Sequence, residues 1–236
     1  RHRVRQPDQD GDERSADAKA LVRASSSTVL TLAYQHLRQS DVPRWDQVAQ
    51  RGYLRYGFDP QERQLAYARS QTFFSHRWLR QIEATLSLQR SVEGRFRQRR
   101  GESLEIRERD EVETLGLLLE ARSEPRPGWR ATSGVEVYHD RVASSAFSSD
   151  LATGVTTARR GLYPDGATAT SLAAFTLHTL DLGRLGLTLG GRLNSYAIAA
   201  DDPVVGPIDV RPRALVGNAS ALYRLTETLV LDGRRF

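Results

Sequence analysis

The stretch QIEATLSLQRSV, residues 81–92, alternates between polar and apolar side chains along most of its length. Positions 82, 84, 86, 88 and 92 are apolar, whereas every odd position carries Gln, Glu, Thr or Ser. Successive side chains of a β-strand point to opposite faces. The pattern therefore predicts a strand with one apolar face and one very polar face.

The same two-faced pattern recurs along most of the chain. Many strands with polar interiors and apolar exteriors are typical of a transmembrane β-barrel. No stretch of about 18 consecutive apolar residues occurs, so the sequence predicts no transmembrane helix. We therefore predict an all-β fold in which antiparallel strands form part of a transmembrane β-barrel.

Composition narrows the function classes. The net charge is +5, but the arginines are spread over predicted loops and turns rather than along one stripe, so we predict no nucleic-acid binding. The absence of cysteine excludes a disulfide framework and thiolate metal sites. The five histidines are scattered without metal-ligand spacing, and no catalytic constellation is present. We predict neither an enzyme nor a resident cofactor.

The chain divides into about ten strands. We predict them at residues 15–22, 28–38, 63–74, 79–92, 111–123, 129–140, 171–182, 185–199, 213–224 and 228–232. The connections alternate in length, with short turns at 23–27, 75–78, 124–128, 183–184 and 225–227 and long connections at 39–61, 93–110, 141–170 and 201–212. Outer-membrane barrels have short periplasmic turns and long extracellular loops.

Aromatic residues support this orientation. Phe73, Phe74, Trp78, Trp129 and Tyr223 flank the short turns, where an interfacial girdle is expected. The main alternative is helical, because Phe74, Trp78, Leu79, Ile82 and Leu86 also fit a helical stripe. A helix is disfavoured because Leu86 and Leu88 are two residues apart, a spacing that fits the period of a strand and not that of a helix.

Several short motifs carry a family resemblance. Residues 60–67 read PQERQLAY, residues 163–166 read YPDG, residues 190–193 read GGRL, and residues 212–220 read PRALVGNAS. In this order and spacing they resemble the barrel domain of TonB-dependent outer-membrane receptors, most closely the haem and haemoglobin-type receptors. The likeness runs from about Ser15 to Phe236. It departs from the family pattern at Leu162, Ala167 and Arg235, where arginine, serine and glycine are usual.

The resemblance implies a larger protein. The family's barrel has about 22 strands around a plugged lumen, so we expect residues 1–236 to be part of a barrel domain, with the plug domain and the C-terminal strands outside this chain. The chain begins without methionine or an apolar signal core, in keeping with that expectation.

The resemblance also implies a function. It places the protein in the outer membrane, in contact with lipid, where the TonB complex acts through the plug to drive uptake of an extracellular iron-bearing ligand. Haem or a haemoprotein is the first choice of ligand, and a ferric siderophore or cobalamin is the second. Three alternatives from other classes are a passive porin, an adhesin and a soluble, basic β-rich binding module.

Candidate ligand-binding residues lie in the connections predicted to be extracellular. The first long connection holds Arg44, Trp45, Tyr53 and Tyr56, together with Phe58. An arginine and aromatic surface suits a planar anionic ligand or a protein partner. An ordinary solvated loop is an equally good interpretation.

Other candidates are more isolated. Arg97 belongs to a basic run at 95–100 that faces several glutamates in sequence; it suits an anionic siderophore or a host protein, although we favour a self-paired charged loop tip. Tyr163 lies in the YPDG loop. His36 and His139, near strand ends, are weak candidates for a haem ligand, and solvated histidines are the simpler interpretation.

Overall fold

The computed structural model describes residues 11–226 and 230–235. They form one sheet of 13 strands and one short helix. In chain order the elements are β1 (Asp12–Arg23), β2 (Thr28–Ser40), β3 (Val42–Pro43), α1 (Trp45–Gln50), β4 (Tyr53–Phe73), β5 (Gln81–Arg99), β6 (Leu104–Arg126), β7 (Trp129–Asp150), β8 (Thr156–Arg159), β9 (Thr168–Leu182), β10 (Leu185–Asp202), β11 (Gly206–Val210), β12 (Arg213–Arg224) and β13 (Val230–Arg235). Among these residues, no helix is long and apolar enough to cross a membrane.

The sheet is an antiparallel meander. Its strand order is β1-β2-β4-β5-β6-β7-β9-β10-β12-β13, and the short strands β3, β8 and β11 pair with β4, β7 and β10. Within the described residues, β1 pairs only with β2 and β13 only with β12, so the sheet has two open edges. The predicted all-β, antiparallel fold is confirmed, and the helical alternative for the segment before residue 92 is wrong because β5 is a strand.

The sheet has two chemically different faces. On one, which we call the outer face, Leu88 lies opposite Ala66 and Leu115, and Leu86 opposite Ala68 and Leu117. The other, the inner face, carries the odd-numbered residues of β5 from Gln81 to Arg99. Leu86 and Leu88 are 54% and 55% exposed, so no protein layer covers the outer face. The apolar rows can therefore be buried only by the surroundings of the protein, as lipid buries the outer face of a membrane barrel.

The two ends of the sheet also differ. The short-turn end holds the connections at 24–27, 74–80, 127–128 and 183–184, which confirms four of the predicted turns. The long-loop end holds α1, β3, β8, β11 and the turn at 100–103. The predicted turn at 225–227 and strand at 228–232 extend over residues 227–229, which lie outside the described residues, as do the first ten residues of the predicted N-terminal loop.

Strands at the long-loop end are longer than the sequence predicts. β4 begins at Tyr53, β5 continues to Arg99, β6 begins at Leu104, and β7 and β10 reach Asp150 and Asp202. The extensions of β5 and β6 are rich in charged residues, so an alternation of polar and apolar side chains does not mark them as strands. Arg95 and Glu108 are register partners, and Arg95 Nε lies 2.6 Å from Glu108 Oε2. Cross-strand pairs of opposite charge stabilise a sheet whose two faces are both polar.

Candidate ligand-binding site

Arginine and aromatic side chains meet on the inner face at the long-loop end. Tyr53 lies opposite Arg99, Tyr56 opposite Arg97 and Phe58 opposite Arg95. Tyr53 and Tyr56 are three residues apart, so in a regular strand they would lie on opposite faces. A register shift between Tyr53 and Arg55, of the kind a β-bulge produces, places both tyrosines on the same face. We define the arginine–aromatic cluster as Arg44, Tyr53, Tyr56, Phe58, Arg95, Arg97 and Arg99.

Ring contacts hold the cluster together. The Tyr53 and Tyr56 rings meet edge to face with centroids 5.0 Å apart, and those of Tyr56 and Phe58 are 6.4 Å apart. The Arg99 guanidinium lies 5.0 Å from the Tyr53 ring centroid, and that of Arg44 lies 5.9 Å from both Tyr56 and Phe58. Cation–π contacts of this kind contribute about 0.5–1 kcal/mol each at exposed sites. The aromatic wall is therefore held in place by contacts within the cluster itself.

The cluster carries net positive charge. Glu108 accepts hydrogen bonds from Arg95 at 2.6 Å and from Arg97 at 3.3 Å. Arg44 donates two hydrogen bonds of 2.8 Å to Asp46. These bonds hold the pKa of the Asp46 carboxyl well below its usual range. Arg99 has no ion pair within the described residues, so four arginines face two carboxylates.

Four of the predicted site residues belong to this cluster: Arg44, Tyr53, Tyr56 and Arg97. The structure corrects their setting, because both tyrosines lie in β4 and Arg97 in β5 rather than in loops. Trp45 begins α1 beside the cluster, and its indole Nε1 is buried with no hydrogen-bond partner in the described part of the chain. Arg95 and Arg99 belong to the basic run at 95–100 but were not among the predicted site residues, although they share the parity of Arg97 along the strand.

Tyr163 lies at a second place on the inner face. The loop at 160–167 folds over the sheet, where the Tyr163 backbone N–H donates to Ser144 Oγ at 3.2 Å and Asp165 accepts the Ser144 N–H at 2.9 Å. A cavity of about 330 Å³ opens beneath the loop; it is lined by Gln39, Gln61, Arg63, Glu93, Leu162 and Tyr163, among others. Glu93 precedes Arg95 by two residues on β5, so this cavity adjoins the cluster.

The two predicted histidines lie on the outer face. His36 is opposite Ala16 and Gln64, and its Nε2 is 3.2 Å from Glu62 Oε1. His139 is opposite Leu115, with Nδ1 2.8 Å from Thr170 Oγ1. Neither is brought to the arginine–aromatic cluster. No group of three or more His, Cys, Asp or Glu able to hold a metal ion occurs within residues 11–226 and 230–235.

An ion pair between the exposed Arg160 and the buried Asp202 fixes the loop at 160–167 to the end of β10. Asp202 is 2% exposed and accepts hydrogen bonds from the Arg160 guanidinium. Its other oxygen accepts the backbone N–H groups of Val204 and Val205. The Arg160 bonds, aided by these backbone bonds, lower the pKa of Asp202 to about 2. We call this pair, Arg160 and Asp202, the loop latch.

These features define a class of protein. An open antiparallel meander with an uncovered apolar outer face, a polar inner face and unequal ends is a segment of a transmembrane β-barrel wall. The sequence matches the family model described as "TonB dependent receptor-like, beta-barrel" over residues 3–235, and the chain belongs to that family. The family consists of transport receptors of the outer membrane, which confirms the predicted location. This family membership favours a receptor over the porin, adhesin and soluble-module alternatives.

Solved structures share the fold. The copper transporter OprC matches with a TM-score of 0.75 at 13% identity, covering 92% of this chain and 35% of that one. The ferric citrate transporter FecA, unliganded, matches with a TM-score of 0.70 at 13% identity, covering 95% of this chain and 35% of that one. The alcaligin outer-membrane receptor FauA from Bordetella pertussis matches with a TM-score of 0.63 at 12% identity, covering 94% of this chain and 35% of that one. No curated protein matches this sequence.

This chain spans 35% of the length of each of these three structures. The shared architecture identifies the long-loop end with the extracellular side, because barrels of this kind have short periplasmic turns.

Proposed function

We propose that this chain is part of the wall of a transporter that takes up an anionic, iron-bearing ligand, and that the arginine–aromatic cluster contacts that ligand on its way into the barrel. The observation that carries the proposal is the position of the cluster. It lies on the inner face at the extracellular end, where an entering ligand passes. A plug domain outside this chain, acted on by the TonB complex, is the proposed source of energy.

The chemistry of the cluster suits a ferric chelate. Guanidinium groups bind carboxylates and other oxyanions through paired hydrogen bonds, and aromatic faces pack against flat ligand groups. One of the similar structures is named for ferric citrate, which supports an iron chelate as the ligand class, whereas another is named for copper. Of the four histidines among the described residues, His36, His139 and His178 lie on the outer face, and His76 lies in the short turn at 74–80, at the opposite end of the sheet from the cluster. We therefore favour a ferric siderophore or ferric carboxylate over haem.

The test uses the full-length receptor with Arg44→Gln and Arg99→Gln combined. Arg99 forms no ion pair with any residue that the structure describes, and the partner of Arg44, Asp46, is about half exposed, so neither change leaves a buried charge. Ferric citrate, a ferric hydroxamate siderophore and haemin are the probes for binding and uptake. We expect the affinity for the chelate that the wild type binds best to fall by about tenfold, because two exposed charge-assisted contacts are lost.

The matched control removes two arginines at the other end of the sheet. Arg77 and Arg184 are exposed in the short turns, and among the described residues their side chains form no hydrogen bond or ion pair. The Arg77→Gln/Arg184→Gln variant changes the net charge equally and should keep wild-type uptake. Unchanged binding and uptake in the Arg44→Gln/Arg99→Gln variant would exclude the cluster as the ligand contact.

A further inference from the structure

The cavity beneath the loop at 160–167 has apolar walls and an acidic floor. Leu37 on β2 and Val112 on β6 line it from the sheet, and Leu162 and Tyr163 line it from the loop above. The loop latch fixes this loop to the end of β10. The volume of about 330 Å³ is that of a small ligand pocket. The walls therefore suit a short aliphatic chain.

Two carboxylates lie side by side in the floor of the cavity. Glu93 on β5 and Asp110 on β6 are register partners on the inner face, and both line the cavity. Like charges directly opposite each other in a sheet are destabilising. Asp110 is 8% exposed, and neither residue forms an ion pair within the described part of the chain. The floor therefore carries a buried negative charge that no protein cation balances there.

The hydrogen-bond partners satisfy these two carboxylates only in part. Asp110 Oδ1 accepts a hydrogen bond from Ser144 Oγ at 2.6 Å, and no residue that the structure describes donates to its Oδ2. Glu93 Oε2 accepts a longer bond, of 3.4 Å, from Gln61 Nε2. Burying a carboxylate without a positively charged partner is costly. The pair thus keeps the capacity to bind a cation.

The neighbouring arginines are bonded to other residues. Arg63 also lines the cavity, but its Nε and Nη2 donate to Gln89 Oε1 at 3.3 and 2.9 Å. The Arg95 guanidinium donates to Glu108 at 2.6 Å. Neither arginine pairs with a carboxylate of the cavity floor. The acidic floor is therefore a feature distinct from the arginine–aromatic cluster.

We propose that this cavity binds a primary ammonium group at the end of a short aliphatic chain. The three donors of an ammonium group diverge, so one group can reach both Glu93 and Asp110. Its aliphatic stem packs on the apolar walls, as the stem of a lysine does on apolar surface. A bare metal ion fits less well, because the cavity is much larger than an ion and the described residues contain no group of three or more possible ligands.

The inference also narrows the class of transported ligand. Glu93 precedes Arg95 by two residues, about 7 Å along β5. A ligand whose anionic ferric centre contacts the arginine–aromatic cluster can therefore place an amine arm in the cavity. The transported chelate is then zwitterionic. This second part rests on the proposed function, whereas the binding of an ammonium group does not.

The first test titrates the full-length receptor in detergent with trifluoropentylamine and with trifluoropentanol, its uncharged analogue, and follows binding by fluorine NMR. We expect the wild type to bind the amine about tenfold more tightly than the alcohol, because the charge-assisted bonds to the floor are strong. Glu93→Gln/Asp110→Asn should bind both probes alike. Glu93→Gln alone, which changes no fully buried group, should reduce the preference several-fold.

The control is Asp17→Asn/Asp181→Asn, which removes two exposed carboxylates of the inner face that do not line this cavity. It changes the net charge equally and should keep the preference for the amine. Equal affinity of the wild type for the amine and the alcohol would overturn the proposal. So would a preference that persists undiminished in both Glu93 variants.

The second test addresses the transported ligand. It compares the ferric complexes of two citrate monoamides, one with an aminopentyl arm and one with a pentyl arm. We expect the wild type to bind the aminopentyl complex about tenfold more tightly, and Glu93→Gln/Asp110→Asn to bind the two complexes alike. Equal binding of the two complexes by the wild type would overturn the zwitterionic ligand.

The Arg44→Gln/Arg99→Gln variant separates this inference from the proposed function. It should weaken the binding of both complexes equally and keep the preference for the amine arm. Unchanged binding of both complexes in this variant would count against the arginine–aromatic cluster and not against the cavity.

Discussion

Gly94 lies where two backbones approach each other too closely for a side chain. A Cβ atom at this position would be 2.1 Å from the Asp59 carbonyl oxygen and 2.7 Å from its carbon. Asp59 falls within the register shift between Phe58 and Gln61 on β4. Beyond this shift Phe58 and Tyr56 lie opposite Arg95 and Arg97. Gly94 thus allows the irregularity that aligns the arginine–aromatic cluster.

We expect Gly94→Ala to destabilise the full-length receptor and to weaken ligand binding together. Backbone has to move to admit the methyl group, and overpacking of this kind costs about 1–3 kcal/mol. The measurement is the temperature at which the receptor loses its folded, SDS-resistant form. Gly191→Ala is the control, because no atom of the described residues, other than those of Gly191 and its chain neighbours, lies within 4 Å of its Cβ position. If the two variants lost the folded form at the same temperature, the close approach of the backbones at Gly94 would contribute nothing to stability.

Among the connecting elements, the loop at 160–167 depends on the loop latch. The folded-state pKa of Asp202, about 2, lies below the ordinary value of 3.8. A carboxyl whose pKa is lowered on folding contributes stability that is present above its unfolded pKa and is lost as the pH falls through its folded pKa. The latch is therefore complete above about pH 4 and opens toward pH 2.

Pepsin is suited to test this, since it is active over that range and the loop contains Leu162 and Tyr163. We expect slow cleavage within residues 160–167 at pH 4 and cleavage several-fold faster at pH 2. Asp202→Asn should be cleaved at pH 4 about as fast as the wild type at pH 2. The control is Asp209→Asn, whose pair with Arg211 is 59% and 73% exposed. If pepsin cleaved the Asp202→Asn variant at pH 4 no faster than the wild type, the loop latch would not be what holds the loop at 160–167.

How well the sequence predicts an element depends on what surrounds it. The membrane-facing part of β5 was predictable because one face must be apolar and the other polar, and a strand has a period of two. The same strand continues to Arg99 in water, where nothing requires apolar residues. The signal there is the pairing of Arg95 with Glu108 across the sheet. Such a pairing is visible only once the register is known.

The candidate site shows the same limit. Arg44, Tyr53 and Tyr56 were found because arginine and aromatic residues were concentrated in one segment. That Tyr53 and Tyr56 share a face depends on a register shift, which sequence alternation does not reveal. The inward fold of the loop with Tyr163 depends on hydrogen bonds to Ser144, a residue that the sequence placed within a long connection.

The whole sheet is an open wall. Within the described residues, β1 and β13 each leave one edge without a partner, and the leucines of the outer face are covered by no protein. Unpaired edges are templates for strand addition, and an apolar face needs lipid or detergent. The ten strands of the main order, β1 to β13 without β3, β8 and β11, account for less than half of a barrel of about 22 strands.

We expect the 236-residue chain, expressed alone and refolded in detergent, to form heterogeneous oligomers rather than monomers. Size-exclusion chromatography with light scattering measures this directly. The full-length receptor, refolded under the same conditions, is the control and should elute as one species. A single monomeric peak for the isolated chain would mean that its edges close on each other.

The hairpin of β5 and β6 has a consequence for antibody recognition. From Arg90 to Arg99 it rises by about 30 Å as paired strands, and its turn at 100–103 is the only irregular part. A linear peptide copied from this segment would lack the partner strand that fixes each side chain. An immunogen meant to raise antibodies against intact cells should therefore present residues 95–108 as a closed two-stranded hairpin.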